Sequence, residues 1–447
     1  MQSLVRASGH RTLACGLSFV IVFFSATLWS VSVHADNWPA WRGAEGLGIT
    51  RERNLPLQWS ATENVRWKIA LPDLGNSSPI LWRNRVFITQ ALEKQQRLTV
   101  MCFDRAEGKL LWQAGTSSAA NGPTHRTNPY CSSSPVTDGE RVIAWFGSAG
   151  LFCFDLNGKE LWHRDLGKQS HIWGYGSSPI IYRDLCILNF GPGERSFLIA
   201  LNKKTGDTVW QVDAPPLPTK ERTDGFAGKP DGEIGSWSTP LVLEINGRDE
   251  LIMSWPGQLR GSDPKTGKEL WHCDGLDPLV YASPIYGEGV LVAMSGFMGS
   301  AIAVKTGGSG DVTATHRLWK KDRTKNRICS GVIAGGHIYV MNMEGIAECL
   351  ELNTGRVVWE ERLTGSGPKS DSWSSMVLAG DKIYLPNQSG DVIVLRASPR
   401  FDVIAVNSIG NEMCNASLAV SDGELFLRTD KHLWCISGQG AKTAAQR

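Results

Sequence analysis

The chain has 447 residues, with 46 Lys and Arg against 44 Asp and Glu, for a net charge of +2. Charged residues make up 20%, hydrophobic residues 42%, and Gly fills 48 positions, which excludes a disordered chain, a coiled coil and an electrostatic nucleic-acid binder. Eighteen Trp against seven Tyr imply a repeated structural use of indole.

In chain order, the first element is an address. Arg6 and Arg11 precede an uncharged run over residues 13–33, and Val33-His34-Ala35 comes just before Asp36. A basic start, an apolar stretch and small residues before a polar start describe a secretory signal cleaved near Ala35. The run is also long enough to serve as an uncleaved membrane anchor. The expected divisions are a signal over 1–35, an N-terminal extension over 36–58, a repeat domain over 59–437 and a flexible tail over 438–447. Without the signal, nine Cys remain, with no adjacent pair and no C-x-x-C, so a disulfide framework is a weak reading.

A phrase of small residues then recurs. It runs Ser77-Ser78-Pro79, Ser133-Ser134-Pro135, Ser177-Ser178-Pro179, Ser238-Thr239-Pro240 and Ala282-Ser283-Pro284, with degenerate copies at Cys329-Ser330-Gly331, Ser374-Ser375-Met376 and Ala416-Ser417-Leu418. The hydroxyl residues are spaced by about 48 residues on average. Each copy continues through two apolar runs around a turn and closes on Gly-x-x-x-Trp, as in Gly108 to Trp112, Gly158 to Trp162, Gly206 to Trp210, Gly267 to Trp271 and Gly355 to Trp359. Trp319 ends a distorted copy, and the seventh copy has Ile404 near the Trp position. A period in the forties with two hairpins per unit predicts four-stranded propeller blades. The eighth copy has only three strands, so the stretch around Trp67, Val65 to Ile69, is expected to supply its outer strand and close the ring. The fold class is therefore all-β, an eight-bladed propeller.

At these residues the chain resembles the pyrroloquinoline quinone (PQQ) propeller-repeat superfamily. Leu201-Asn202…Thr205-Gly206…Trp210 and Ser262-Asp263…Thr266-Gly267…Trp271 look like its tryptophan-docking motif. The resemblance implies that Trp67, Trp112, Trp162, Trp210, Trp271, Trp319 and Trp359 lock blade to blade. The opening Trp38-Pro39-Ala40-Trp41-Arg42-Gly43 is similar to that of secreted BamB-like members. The superfamily holds quinoprotein dehydrogenases as well as cofactor-free scaffolds. Its dehydrogenases use an adjacent-cysteine disulfide, carboxylate and amide ligands for Ca²⁺, and an Asp base, and no motif here matches these.

No catalytic residue, metal ligand or cofactor is therefore predicted, and G-x-S-x-G and G-x-G-x-x-G are absent as well. The Ser/Thr phrase reads as small residues crowding a channel, whose hydroxyls satisfy local backbone groups. Cys102, Cys153 and Cys349, in equivalent strands, read as small buried hydrophobes. The connections over 113–132 and 211–237 are the longest and should reach the channel mouth, where propellers carry function. They and their shorter equivalents supply the candidate ligand-binding set: His125, Arg126, Asn128, Tyr130, His171, Trp173, Tyr175, Trp237, Tyr281, Arg327, Asp371 and Trp373. Aromatic walls with a few polar groups suit a planar ligand, a sugar or a peptide segment.

The leading expectation is an exported, monomeric, non-catalytic binding or assembly platform. It would take a protein, small-molecule or glycan partner at the channel mouth and no nucleic acid, with membrane contact only through an uncleaved N-terminus. The alternatives are a quinoprotein oxidoreductase with PQQ and Ca²⁺, and a carbohydrate-binding or carbohydrate-active propeller.

Overall fold

In a computed structural model, residues 37–438 are described apart from 119–121, 194, 218–220 and 229–233, together with residues 1, 2 and 9. The expected signal with its cleavage point, and the tail beyond residue 438, lie outside the described residues. Among the described residues, no helix is long and apolar enough to cross a membrane.

The repeats fold into eight antiparallel sheets. Blade 1 runs Ile80–Trp82, Arg85–Leu92, Arg97–Asp104 and Leu110–Ser117. Blade 2 runs Val136–Thr137, Arg141–Trp145, Leu151–Asp155 and Glu160–Arg164. Blade 3 runs Ile180–Tyr182, Leu185–Phe190, Phe197–Asn202 and Thr208–Asp213. Blade 4 runs Leu241–Ile245, Arg248–Trp255, Gln258–Ser262 and Glu269–Asp274. Blade 5 runs Ile285–Gly287, Val290–Met294, Ala301–Lys305 and Arg317–Lys321. Blade 6 runs Val332–Ala334, His337–Met341, Ile346–Glu351 and Val357–Arg362. Blade 7 runs Val377–Ala379, Lys382–Pro386, Val392–Arg396 and Val403–Asn407. Blade 8 takes Ala419–Ser421, Glu424–Arg428 and His432–Ser437 from the end of the chain. Its outer strand is Val65–Ala70, paired antiparallel to His432–Ser437, so the ring closes as expected.

Two blades gain a strand that the repeat does not predict. Ile49–Thr50, in the N-terminal extension, adds parallel to Val377–Ala379, and Gly310–Asp311 adds parallel to the outer strand of blade 4. The core is not one central mass. Among the described residues it divides into seven hydrophobic clusters, each filling the space between neighbouring blades, and the cluster at the closure joins blades 7, 8 and 1.

In every blade the pairing of the third and fourth strands shifts register once. A bulge of this kind re-aims the side chain that follows it. The docking Trp uses that turn. Trp67 Nε1 donates to Arg105 O at 2.8 Å, Trp112 to Leu156 O at 2.8 Å, Trp162 to Lys203 O at 3.0 Å and Trp210 to Pro264 O at 3.0 Å. Trp319 donates to Leu352 O at 2.9 Å and Trp359 to Ser398 O at 3.1 Å. Each acceptor lies in the turn of the next blade. The ring also covers the Gly of that turn: a Cβ on Gly206, whose φ is +78°, would sit 2.9 Å from the Trp162 indole. Trp271 differs. Its Nε1 donates to Glu250 of its own blade at 2.6 Å, because the neighbouring turn is replaced by the added strand at Gly310–Asp311. The seven Trp thus share one position but not one partner.

The repeated hydroxyls do something other than satisfy local backbone. The amide of Ser78 donates to Ser134 Oγ at 2.9 Å, that of Ser134 to Ser178 Oγ at 3.0 Å, and that of Ser178 to Thr239 Oγ1 at 3.0 Å. Thr239 donates to Ser283 Oγ at 2.8 Å, Ser283 to Ser330 Oγ at 3.0 Å, and Ser330 to Ser375 Oγ at 3.0 Å. Ser375 donates to Ser417 Oγ at 2.9 Å, and Ser417 returns to Ser78 Oγ at 2.9 Å. Eight inner strands are therefore tied head to tail into a closed hydrogen-bonded hoop around the channel.

Candidate functional site

An extended segment enters each hoop position, so side chains alternate between its two faces. Residues two before the hydroxyl face the channel: Asn76, Ser132, Gly176, Trp237, Tyr281, Ile328, Trp373 and Asn415 all line one cavity of about 410 Å³, together with the whole hoop. Residues three before it face the core. Cys131, Tyr175 and Arg327 occupy that register and are buried. Trp41 also lines the cavity, so the N-terminal extension contributes to it. Arg42 beside it is buried, donating to Ser330 O at 2.8 Å and Gly331 O at 2.7 Å, which anchors the extension to the inner end of blade 6. Burial draws the Arg42 guanidinium down to about 10, and its partners are neutral carbonyls. The result is a cup with a hydroxyl hoop and Trp41 below and loop side chains at its rim.

The rim is asymmetric. Over blades 3 to 5 it is aromatic: Trp173 and Trp237 have ring centroids 6.0 Å apart at 31°, and Tyr281 lies 5.0 Å from Trp237. Phe226 backs Trp173 at 6.0 Å and touches Phe297 at 5.1 Å, and Phe297 lines the cup too. The long connection that carries Phe226 is pinned from below. Asp277 accepts from Thr223 N at 2.5 Å, Thr223 Oγ1 at 2.9 Å and Ser300 N at 2.6 Å, and Gly235–Ser236 pairs with Leu279–Val280. The remaining rim carries Trp373, Ile328 and Met343 among amides and hydroxyls. Asn76 Nδ2 donates to Thr127 O at 2.9 Å, His125 Nδ1 lies 2.7 Å from Thr127 Oγ1, and Gln388 Nε2 donates to Asn415 Oδ1 at 2.8 Å.

Of the twelve residues singled out from the sequence, His125, Asn128, Trp173, Trp237, Tyr281 and Trp373 come together around the cup. The other six do not. Tyr130 donates to Gly122 O at 3.0 Å within its loop. His171 is buried with its ring edge on Trp237, 4.8 Å between centroids. The Tyr175 hydroxyl accepts from Cys131 N, and its ring packs 4.8 Å from Trp145. Arg327 is buried in an ion pair with Glu348. Arg126 lines a separate crevice beside Arg428 and Asp430, and Asp371 is exposed and is absent from the cup lining. Asn76, Phe297, Asn326, Met343, Asn415 and Trp41 line the cup without having been singled out. For Asn76 and Asn415 the signal was available in the register two before each hydroxyl. For Trp41 no periodic signal exists.

Among the described residues, the cup lining includes no Asp, Glu, Lys or Arg. Calcium sites generally combine carboxylate with carbonyl oxygens, and the quinone PQQ is itself a polyanion that needs cations or dense N–H donors. Among the described residues no group of three His, Cys, Asp or Glu is placed to hold a metal ion. All nine described Cys are buried and unpaired, and burial pushes the thiols of Cys102 and Cys153 up to about 12 and that of Cys349 to about 11. Among the described residues, the channel lining thus offers neither a carboxylate for calcium nor a cationic side chain for PQQ.

The family model described as outer membrane protein assembly factor BamB matches residues 25–211, 99–361 and 256–399. The BamB of Yersinia pestis is 21% identical over 338 residues, 70% of this chain and 76% of that protein. Among solved structures, BamB from Moraxella catarrhalis is similar with a TM-score of 0.55 at 15% identity, covering 85% of this chain and 98% of that one. The quinohemoprotein alcohol dehydrogenase of Comamonas testosteroni has a TM-score of 0.67 at 11% identity, covering 91% and 81%. At these identities the two structures share the fold alone. With eight blades in place and a family model matched over most of the chain, the chain belongs to the PQQ-like propeller family of outer membrane protein assembly factor BamB.

Proposed function

We propose that this chain is an exported propeller that works by binding a partner at the cup, as a platform and not as a quinoprotein oxidoreductase. One observation carries the reading: a well-formed concave site at the channel mouth whose lining, among the described residues, holds aromatic, amide and hydroxyl side chains and no Asp, Glu, Lys or Arg. A dehydrogenase needs a base and a held cofactor, and among the described residues His125 and Tyr281 are the titratable side chains the lining offers. His125 is exposed and engaged with Thr127. Membership of a family named for outer membrane protein assembly supports export and a protein partner at the rim.

The test is a thermal melt of the purified mature protein titrated with PQQ and Ca²⁺, alongside a dye-linked alcohol and sugar dehydrogenase assay. The expected outcome is an unchanged melting temperature and no turnover. A rise in melting temperature that tracks PQQ concentration, accompanied by dye reduction, would overturn the platform reading in favour of the oxidoreductase.

A further inference from the structure

We propose that the cup takes the uncharged end of a saccharide, its sugar hydroxyls on the Ser/Thr hoop and its apolar ring face against the aromatic rim. This rests on the binding-platform reading and adds the ligand class.

Four properties of the cup converge on that chemistry. First, the hoop is chemically two-sided. Each hydroxyl already accepts one amide, which leaves its O–H and a second lone pair for an occupant. Among the described residues Ser330 is the exception, its Oγ donating to Ser283 O at 3.2 Å. An apolar occupant would leave that crowd of hydroxyls without partners, at a free-energy cost for each. Second, Trp237, Tyr281 and Trp373 stand two residues before the hoop hydroxyls and line the cup. The negative face of an indole or phenol attracts the weakly positive C–H groups on one side of a pyranose. Third, among the described residues the lining holds no Lys or Arg, so a uronate, a phosphate or the carboxylate end of a peptide finds no counter-ion there. Fourth, Asn326 lines the cup, and its Oδ1 is buried without a protein partner among the described residues. An orphaned buried acceptor fits an occupant rich in O–H donors.

A peptide segment fits less well. Extended peptides bind by adding to a sheet edge with free N–H and C=O groups. Here the eight inner-strand amides at the hoop are already committed to hydroxyls. Trp41 and the buried Arg42 at the inner end favour a terminal sugar unit entering the cup over a chain threading through it. A volume of about 410 Å³ is of the right order for one or two sugar rings.

The experiment uses the mature chain on an array of immobilised neutral oligosaccharides, with uronate-bearing glycans and an extended-peptide library as competing arms. Calorimetry on the soluble form of any hit follows. Binding to at least one neutral glycan is expected, with the uronate analogue of that glycan much weaker. Trp373→Ala should weaken binding by about 30-fold, the scale of a buried aromatic anchor, and Trp373→Phe should recover most of it. Melting temperatures of both variants separate lost binding from lost fold. If Trp373→Ala does not fold, the Trp373→Phe comparison and the uronate arm decide alone. The inference is overturned by any of four results: no neutral glycan bound, a preference for charged glycans, binding that survives in folded Trp373→Ala and Trp237→Ala, or binding in the peptide arm alone. None of these touches the platform reading, which falls on PQQ-dependent turnover instead.

Discussion

Adjacent serines in the same phrase should behave in opposite ways when their hydroxyls are removed. In Ser133-Ser134 and Ser177-Ser178, both members of each pair are buried. Ser134 Oγ and Ser178 Oγ accept amides from the preceding blade, whereas Ser133 Oγ and Ser177 Oγ have no hydrogen-bond partner among the described residues. Ser178→Ala strands the buried Ser134 N–H, which costs about 1–3 kcal/mol. An unfolding entropy of ~2.1 cal/mol/K per residue over roughly 400 residues gives about 0.85 kcal/mol per degree, so the melting temperature should fall by about 1–4 °C. Ser177→Ala removes a hydroxyl that is buried without a bond and should leave stability unchanged or slightly raised. Calorimetric melts of the four single alanine variants, with Ser178→Thr as a control that keeps the acceptor as Thr239 does, measure the contrast. Equal losses at all four positions would refute the hoop as an energetic device and reduce it to crowding.

Gly206 and Gly247 have nearly equal φ, +78° and +76°, so alanine is strained similarly at both. A Cβ at Gly206 would meet the Trp162 indole at 2.9 Å, while at Gly247 nothing lies within 4 Å. Gly206→Ala should therefore lower the urea midpoint clearly more than Gly247→Ala, by about 1–3 kcal/mol in equivalent terms, the usual range for overpacking; equal effects would remove the docking contact from the account. Glu412 supplies the pH dependence. Burial alone would raise its pKa, but hydrogen bonds from Thr429, His432 and Lys68 outweigh it and hold the carboxyl below its ordinary 4.5. A depressed folded-state value means that its contribution is complete above about pH 4.5 and is lost as pH falls through the lower folded value. Melts from pH 7 to pH 3 should show wild type losing stability faster than Glu412→Gln below pH 4.5, and parallel curves would refute the assignment.

The blades were legible because each copy meets the same neighbour, so the small-residue phrase and Gly-x-x-x-Trp recur at every interface. The bonding of those phrases was not. The acceptor for seven of the eight hoop amides lies 42 to 61 residues along the chain, and for the closing one 339 residues back, always in another blade, and no local rule points to it. The same holds at Trp271, which has the full motif but bonds Glu250, since its neighbouring turn was replaced by Gly310–Asp311. At the rim, strand alternation separates Trp237, Tyr281 and Trp373 from Tyr175 and Arg327, a distinction that loop length and residue type alone do not make. Trp41 stayed hidden because it belongs to no repeat and reaches the cup from a segment read as a mere extension.

The closure between Ser417 and Ser78 joins residues 339 apart. Closure entropy grows only logarithmically, so uniting these ends costs about 3 kcal/mol more than closing a loop of ~10 residues. The expense is one of time. Val65–Ala70 is synthesised among the first strands, yet its partner His432–Ser437 is among the last. Until that partner arrives, a complete set of earlier blades has two open sheet ends and an unfilled interface, the kind of surface that invites pairing with other chains. A nascent chain of this architecture thus needs shielding for nearly its whole synthesis, and losing a few residues near 432–437 would reopen the ring at both ends at once.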